Sequence, residues 1–395
     1  MDFFNVGPDG LFTVASAQNA QREAMAQGQL ANGLDLYSAG QYDEAIATFR
    51  RAIALAPTSA TAIQAYDYTA RSHLNQGDSE AAIEAYKKAI RIDPQQAEMH
   101  VALGTLYISL DRSDEARQAY EAAVKIDAGP ANRFYLGQAY LAAGRYREAE
   151  QQFRLVREAT PTKHSGDFGL GQVYAKQGKT AEAVRAFERA ITLKPDFWEG
   201  YAELAYILAD SGAFGEAEAV ADKLKRSVPA LATQVNQYID QKRPPKMILA
   251  YSTSAFVASL GPGTAVASLG PALTQANGRQ TFSMVFSFDK AMDLKSVQSV
   301  WNWTISRSVG TGKGDGYNYD LPIPATEISL YPHPDAVVYD PKQLTATVYF
   351  TVQQNSSANG TLDPSHIKFS FKGQDISGAR LDPKADEYMG FTGIG

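Results

Sequence analysis

The sequence predicts a multidomain chain, α then β: a right-handed α-solenoid of about six helical hairpins followed by a β-sandwich. Three observations carry this. Ala45, Ala82, Ala116, Ala149, Ala183 and Ala217 recur at spacings of 37, 34, 33, 34 and 34 residues, a period that marks a repeat protein. A turn residue stands five positions before each (Gly40, Gly77, Asp111, Gly144, Gly178, Gly212). Four positions after each come Phe49, Tyr86, Tyr120, Phe153, Phe187 and Ala221. Beyond residue 246 the apolar pattern changes from helical to alternating.

From the amino end, Asp2-Phe3-Phe4-Asn5-Val6 and Leu11-Phe12-Thr13-Val14 flank Gly7-Pro8-Asp9-Gly10, a turn signal. The first fourteen residues therefore read as a small hairpin inside an amino-terminal docking segment, 1–25. Two strands alone are marginal in water. Phe4, Val6, Phe12 and Val14 are thus expected to dock, in the repeat groove or on an edge strand of the sandwich, in the same chain or the next. Residues 26–241 form the solenoid. In each unit the glycine opens the tight turn, the alanine lets two helices approach, and the aromatic fills the gap between neighbouring units. Leu231 to Tyr238 reads as a polar-faced capping helix.

Residues 242–246 are a linker, marked by Pro244-Pro245 and a charge cluster. In the last segment, 247–395, Met247 to Ala255, Thr281 to Phe288, Trp301 to Arg307, Leu344 to Val352 and Ile367 to Phe371 read as strands. Met284, Phe286, Phe288, Val348 and Phe350 fall on buried faces. Val257 to Pro262 is nearly repeated as Val266 to Pro271, a loop over the sandwich or part of an interface.

The units resemble the tetratricopeptide repeat (TPR). The fifth, with Leu170-Gly171, Tyr174, Gly178, Ala183, Phe187, Ala190 and Pro195, is the fullest match. The second carries Ala70 and His73 where glycine and tyrosine are usual, and the sixth has lost its second aromatic. In the β half, Phe286-Ser287-Phe288-Asp289-Lys290-Ala291-Met292-Asp293 and Trp301-Asn302-Trp303-Thr304-Ile305 look like the opening of bacterial immunoglobulin-like domains of surface-layer and other cell-surface proteins. Val338-Tyr339-Asp340-Pro341 and Phe371 to Gly378 are similar to that family's closing pattern. The stretch from Gly310 to Pro324 departs from it as an insertion. These resemblances imply a protein-interaction or structural role and a cell-surface or extracellular setting, with a cytoplasmic location as the alternative.

Composition narrows the function. Charged residues are 20% and hydrophobic ones 45%, a globular rather than disordered balance. Of the net charge of −6, about −5 falls before Lys246, and no basic stripe suits nucleic acid. No cysteine is present, which excludes disulfides and thiolate chemistry. No apolar run reaches the roughly 18 residues of a membrane span, and Met1 to Asn5 does not read as a secretory signal.

Enzyme chemistry is not expected, and neither is a cofactor or metal. Gly178-Lys179-Thr180 has the tail of a phosphate-binding loop, but Val173 stands where its first glycine is needed. The five histidines lack metal-ligand spacing. Gly314 to Asp320 reads as a turn with calcium-type oxygens but no EF-hand pattern. Of three glycosylation sequons, Asn302 reads as structural, while Asn355 and Asn359 lie in a loop.

The groove supplies the candidate binding residues. The carboxylate clamp of some tetratricopeptide proteins is absent: its places hold Leu30 and Leu34, Asp67 and Arg71, Val101 and Thr105, Phe134 and Gln138, Phe168 and Gln172, and Ala202 and Tyr206. Phe134, Gln138, Phe168, Gln172 and Tyr206 would suit an apolar or mixed segment of another chain; alternatively, some of the aromatics face the next helix. Two functional expectations follow. One is a self-assembling, non-enzymatic subunit of a bacterial surface or extracellular filament or layer, joined head to tail. The other is a monomeric adaptor that recruits a different protein through its groove.

Overall fold

The structure, a computed structural model, describes residues 8–310 and 315–394. It divides into two compact units between Val235 and Asn236. The first is helical: α1 (Pro8–Ser38), α2 (Tyr42–Leu55), α3 (Ala60–Asn75), α4 (Ser79–Ile92), α5 (Ala97–Ser109), α6 (Ser113–Ile126), α7 (Pro130–Ala142), α8 (Tyr146–Ala159), α9 (Ser165–Lys176), α10 (Thr180–Leu193), α11 (Trp198–Asp210) and α12 (Phe214–Leu224). These pair as six antiparallel hairpins, and α13 (Pro229–Lys242) follows.

The hairpin turns close by one mechanism. In the fifth, Gly178 N–H donates to Ala175 O at 3.1 Å and Lys179 N–H to Tyr174 O at 2.9 Å. Gly178 has φ +71°, the left-handed helix end that glycine takes without strain. Asp111, at φ 57°, does the same in the third, a conformation short polar side chains tolerate.

The six repeating alanines are fully buried. The aromatic four residues later fills the gap between units as expected, with Phe49 6.0 Å from Tyr68 and Tyr120 5.7 Å from Tyr135 between ring centres, and it also packs within its own unit. A Cβ placed on Gly33, Gly104, Gly137 or Gly171 would lie 2.4, 2.8, 2.7 or 2.6 Å from a ring carbon of Phe49, Tyr120, Phe153 or Phe187 respectively. In these four hairpins the first helix carries glycine where the second presents a ring, whereas the second hairpin accommodates Ala70 with Tyr86, both buried. The sixth hairpin replaces both partners with alanine, Ala205 and Ala221, each fully buried at the equivalent places.

The amino-terminal expectation is overturned where it can be seen. Residues 8–14, expected as the turn and second strand of a hairpin, form the opening turns of α1; Phe12 and Val14 therefore lie on a helix. Pro8 is suited to a first helical position, Asp9 favours the positive end of the helix dipole, and the alanines that follow continue the helix. Phe4 and Val6 lie outside the described residues.

The second unit holds ten strands among the described residues: β1 (Met247–Ser252), β2 (Thr264–Ala265), β3 (Arg279–Phe288), β4 (Trp303–Arg307), β5 (Ala336–Asp340), β6 (Thr345–Gln353), β7 (Thr361–Leu362), β8 (Ile367–Phe371), β9 (Glu387–Met389) and β10 (Gly393–Ile394). They make two four-stranded antiparallel sheets, ordered β1-β3-β6-β5 and β10-β9-β8-β4, and the small pair β2-β7. β5 was not among the expected strands. The sheets face each other through aromatic contacts: Phe286 lies 5.0 Å from Trp303 and 5.7 Å from Phe369, Phe350 5.2 Å from Phe369, and Phe288 5.6 Å from Phe371, between ring centres. Period-two burial along β6 shows the pattern that orients them, with Ala346, Val348, Phe350 and Val352 buried and the intervening residues more open. Of the near-repeated segment, Val266 and Leu269 are buried in this core, together with Phe256 and Leu273.

Candidate protein-binding groove of the helical unit

The first helices of the hairpins lie side by side, α1 by α3, α5 by α7, α7 by α9 and α9 by α11. They form one face of the helical unit. A bond one repeat long establishes which side chains meet there: Gln138 Nε2 on α7 donates to Gln172 Oε1 on α9 at 2.8 Å. The pair leaves one amide oxygen and further amide hydrogens, the groups that match a peptide's own N–H and C=O. Both glutamines are half-buried.

The aromatic members are divided between packing and exposure. Phe134 is half-buried, its ring 5.5 Å from Phe153 and 6.5 Å from Tyr135. Phe168, also half-buried, lies 5.9 Å from Phe187 and 4.8 Å from Phe197. Each ring therefore spends one side on a neighbouring helix. Tyr206 on α11 is half-buried, and burial, with the nearby Glu203, raises its hydroxyl pKa.

Towards the amino end the face becomes charged and closed. Arg71 Nε reaches Asp67 Oδ1 at 3.0 Å, and Thr105 Oγ1 meets Tyr120 OH at 3.0 Å. Two exposed apolar residues of this face escaped the sequence reading. Leu74 and Ile108 lie three positions after Arg71 and Thr105, on the same helix faces, and are 37% and 40% exposed. The signal was present in the i+3 spacing. Glu203 was also missed: burial raises its carboxyl above the usual range, while Lys176 opposes the shift.

A buried acid lies behind this face. Asp167 on α9 is 1% exposed, with Arg189 Nε 3.1 Å from one oxygen and Arg157 Nη1 3.7 Å from the other. Burial raises its pKa and the two guanidinium groups work against that. The pair of arginines, from α8 and α10, ties the second helices of successive hairpins to the first helix between them.

Other residues singled out from sequence have local roles. Gly178-Lys179-Thr180 is a hairpin turn, with Lys179 Nζ 5.7 Å from the centre of the Tyr174 ring. Asn302 Nδ2 donates to Ser296 O at 2.7 Å, a structural bond. In the loop after β6, Asn355 Nδ2 donates to Asn359 Oδ1 at 2.9 Å. The described part of the insertion, residues 315–324, is pinned at Tyr317 and Asn318. Buried Tyr317 OH donates to Glu327 and accepts from Asp363 N–H at 2.9 Å, and Asn318 N–H donates to Asp363 Oδ2 at 2.8 Å. Asp363 Oδ2 also meets fully buried His366 Nδ1 at 2.8 Å. This polar cluster was not legible, because its members come from separate segments. No helix is long and apolar enough to cross a membrane among the described residues.

Tetratricopeptide-repeat family models match residues 23–95, 69–132, 133–154 and 168–232. The helical unit is therefore an array of tetratricopeptide repeats, a class that mediates protein–protein interaction. Among curated proteins, protein bimA of Emericella nidulans is 29% identical over 100 residues, 25% of this chain and 12% of that protein, so the chain matches a small part of that relative's length. Among solved structures, a tetratricopeptide repeat protein from Parabacteroides merdae is 19% identical, covering 54% of this chain and 85% of that one at a TM-score of 0.49. Pseudomonas aeruginosa pilF is 19% identical over 55% of this chain and 98% of its own, with a TM-score of 0.44. YrrB, described as a TPR protein with an unusual peptide-binding site, is 22% identical over 44% and 88%, with a TM-score of 0.38.

Proposed function

We propose that this chain is a non-enzymatic interaction protein whose first-helix face binds an extended segment of another protein. The observation that carries the reading is the Gln138–Gln172 pair, set among the half-buried rings of Phe134 and Phe168. Apolar rings offer contact area, and the residual amide groups offer main-chain hydrogen bonds. The test is selection of a phage-displayed library of random peptides against the full chain, followed by Gln138→Ala plus Gln172→Ala. Loss of two hydrogen bonds of about 0.5–1.5 kcal/mol each weakens the selected peptides roughly 5- to 150-fold. Selected peptides that bind the double variant unchanged, or no enrichment at all, refute the reading.

A second reading is favoured by the β unit: a self-assembling subunit of a bacterial cell-surface or extracellular assembly, joined head to tail. Its support is the resemblance of residues 247–395 to surface-type immunoglobulin-like domains, the two facing antiparallel sheets, and an apolar sheet edge left unpaired at β1. Mass by light scattering across a concentration series tests it: growth supports assembly, and a constant monomer mass refutes it.

A further inference from the structure

The first sheet ends at β1, whose outer edge is hydrogen-bonded by no strand among the described residues, although β10 packs close to it. Among the described residues, β1 pairs with β3 on one side and with no strand on the other. Thr253 N–H donates to Ser283 O, and Tyr251 and Leu249 stand opposite Val285 and Ser287. Antiparallel alternation then turns the backbone N–H and C=O of Ala250 and Ser252 away from β3. Among the described residues, no backbone group from Ile248 to Ser252 bonds outside the β1–β3 ladder.

The side chains beside this open edge are apolar. Ile248, Leu249 and Tyr251 are 58%, 53% and 44% exposed. An irregular register between Met247 and Leu249 accompanies the exposure of two consecutive residues. Met247 to Ala255 contains neither a charge nor a proline, the devices that normally protect a sheet edge. The other edges are protected or short. At β4, Ile305 N–H donates to Pro332 O at 2.8 Å and Trp303 O meets His333 Nδ1 at 2.8 Å. β5 is bracketed by Asp335 and by Asp340-Pro341, and β10 is two residues long.

We propose that β1 accepts an added strand, and that the strand is Asp2-Phe3-Phe4-Asn5-Val6 of a second copy of this chain. The inference deepens the self-assembly reading and rests on it. The donor lies outside the described residues, immediately before α1, whose first residue is Pro8. The donor's five residues match the five from Ile248 to Ser252. Its phenylalanines and valine favour strands, with Phe4 and Val6 on one face and Phe3 and Asn5 on the other. A neutral acceptor imposes no charge requirement on this donor, whose one charged side chain, Asp2, stands at its end. Donor and acceptor are different surfaces, so the contact is heterologous and propagates as a ring or a filament.

The test compares the full chain with three variants by light scattering across a concentration series: deletion of Asp2–Val6, Ala250→Pro and Leu249→Lys. Proline removes an outward N–H while leaving the inward bonds at Leu249 and Tyr251, and lysine guards the edge without touching the backbone. Thermal unfolding identifies any variant that has lost its fold, and Leu249→Lys keeps the test decisive if Ala250→Pro has. A fluorescein-labelled peptide of the Asp2–Val6 sequence is then titrated into the deletion variant, with and without Leu249→Lys. The expected result is concentration-dependent growth above 42.8 kDa in the parent, a monomer in each folded variant, and peptide binding weakened at least tenfold by the lysine. Assembly that survives the deletion or the edge substitutions overturns the inference and leaves the self-assembly reading standing. A parent that stays monomeric overturns both. A mass independent of concentration with peptide still bound at β1 assigns the donor to the same chain and overturns the second-copy occupant.

Discussion

Gly171 and Phe187 provide a direct test of what sets the helix spacing. A Cβ on Gly171 would stand 2.6 Å from Phe187 Cδ1 and Cε1, and Phe187 is fully buried, so the ring has no open side to move into. Overpacking of this kind costs about 1–3 kcal/mol. Replacing a helical glycine with alanine returns about 0.8–1 kcal/mol of helix propensity. Gly171→Ala alone is therefore net destabilising, by up to about 2 kcal/mol. Phe187→Ala alone leaves a cavity and costs about 3–5 kcal/mol. In that background the clash is gone, and Gly171→Ala becomes stabilising by about 1 kcal/mol. The sign reversal amounts to a coupling of about 1–3 kcal/mol. Urea unfolding followed by far-ultraviolet circular dichroism measures the cycle. Hydrogen exchange in α9 and α10 locates it, since stacked repeats are stabilised by nearest-neighbour contacts. A Gly171→Ala effect equal in both backgrounds refutes steric control of the spacing by the ring.

Two further outcomes follow from buried polar groups. Burial raises the Glu203 pKa, so the folded state holds this proton more tightly than the unfolded chain does. The stability this contributes is present below the ordinary value of 4.5 and is lost as pH rises through the higher folded value. Glu203→Gln is expected to melt higher than the parent at neutral pH, with the gap closing below pH 4.5; a gap unchanged with pH refutes the burial argument. Tyr317→Phe leaves Asp363 N–H and Glu327 without the hydroxyl they share. The expected loss is about 1–3 kcal/mol in the β unit, read by thermal unfolding, and an unchanged melting temperature refutes the pinning role.

The parts of the fold that were legible are those in which a period repeats one local solution. The glycine turns and buried alanines follow from a 34-residue recurrence in which each unit checks the others. Strands β3, β6 and β8 were legible because alternation marks a half-buried sheet. The amino-terminal hairpin failed because Gly7-Pro8-Asp9-Gly10 suits a turn and a helix start equally well, and no second copy of the segment arbitrates between them. The role of the second-helix aromatic was legible only in part: its contact with the next unit was expected, its contact within its own unit was not. Recurrence shows that a ring is needed but not which glycine it rests on, and only the close approach of Gly171 to Phe187 decides that.

The candidate site was legible to the extent that repeats can be compared with one another inside one chain. Packing positions hold nearly the same residue in every hairpin, whereas the groove positions change from Leu30 and Leu34 to Asp67 and Arg71, then to Phe134 and Gln138. A position released from packing is free to vary, so variation among equivalent places marks a face that packing does not fix. The clamp positions of the repeat family located Gln138 and Gln172, which the structure joins. The same reading counted Phe134 and Phe168 with them although each also packs against a neighbouring ring. It passed over Leu74 and Ile108, because an apolar residue at helical spacing is first read as core. The β1 edge lies beyond such comparison altogether: an open strand and a paired one have the same alternating sequence, and only the order β1-β3-β6-β5 shows which strand has no second neighbour.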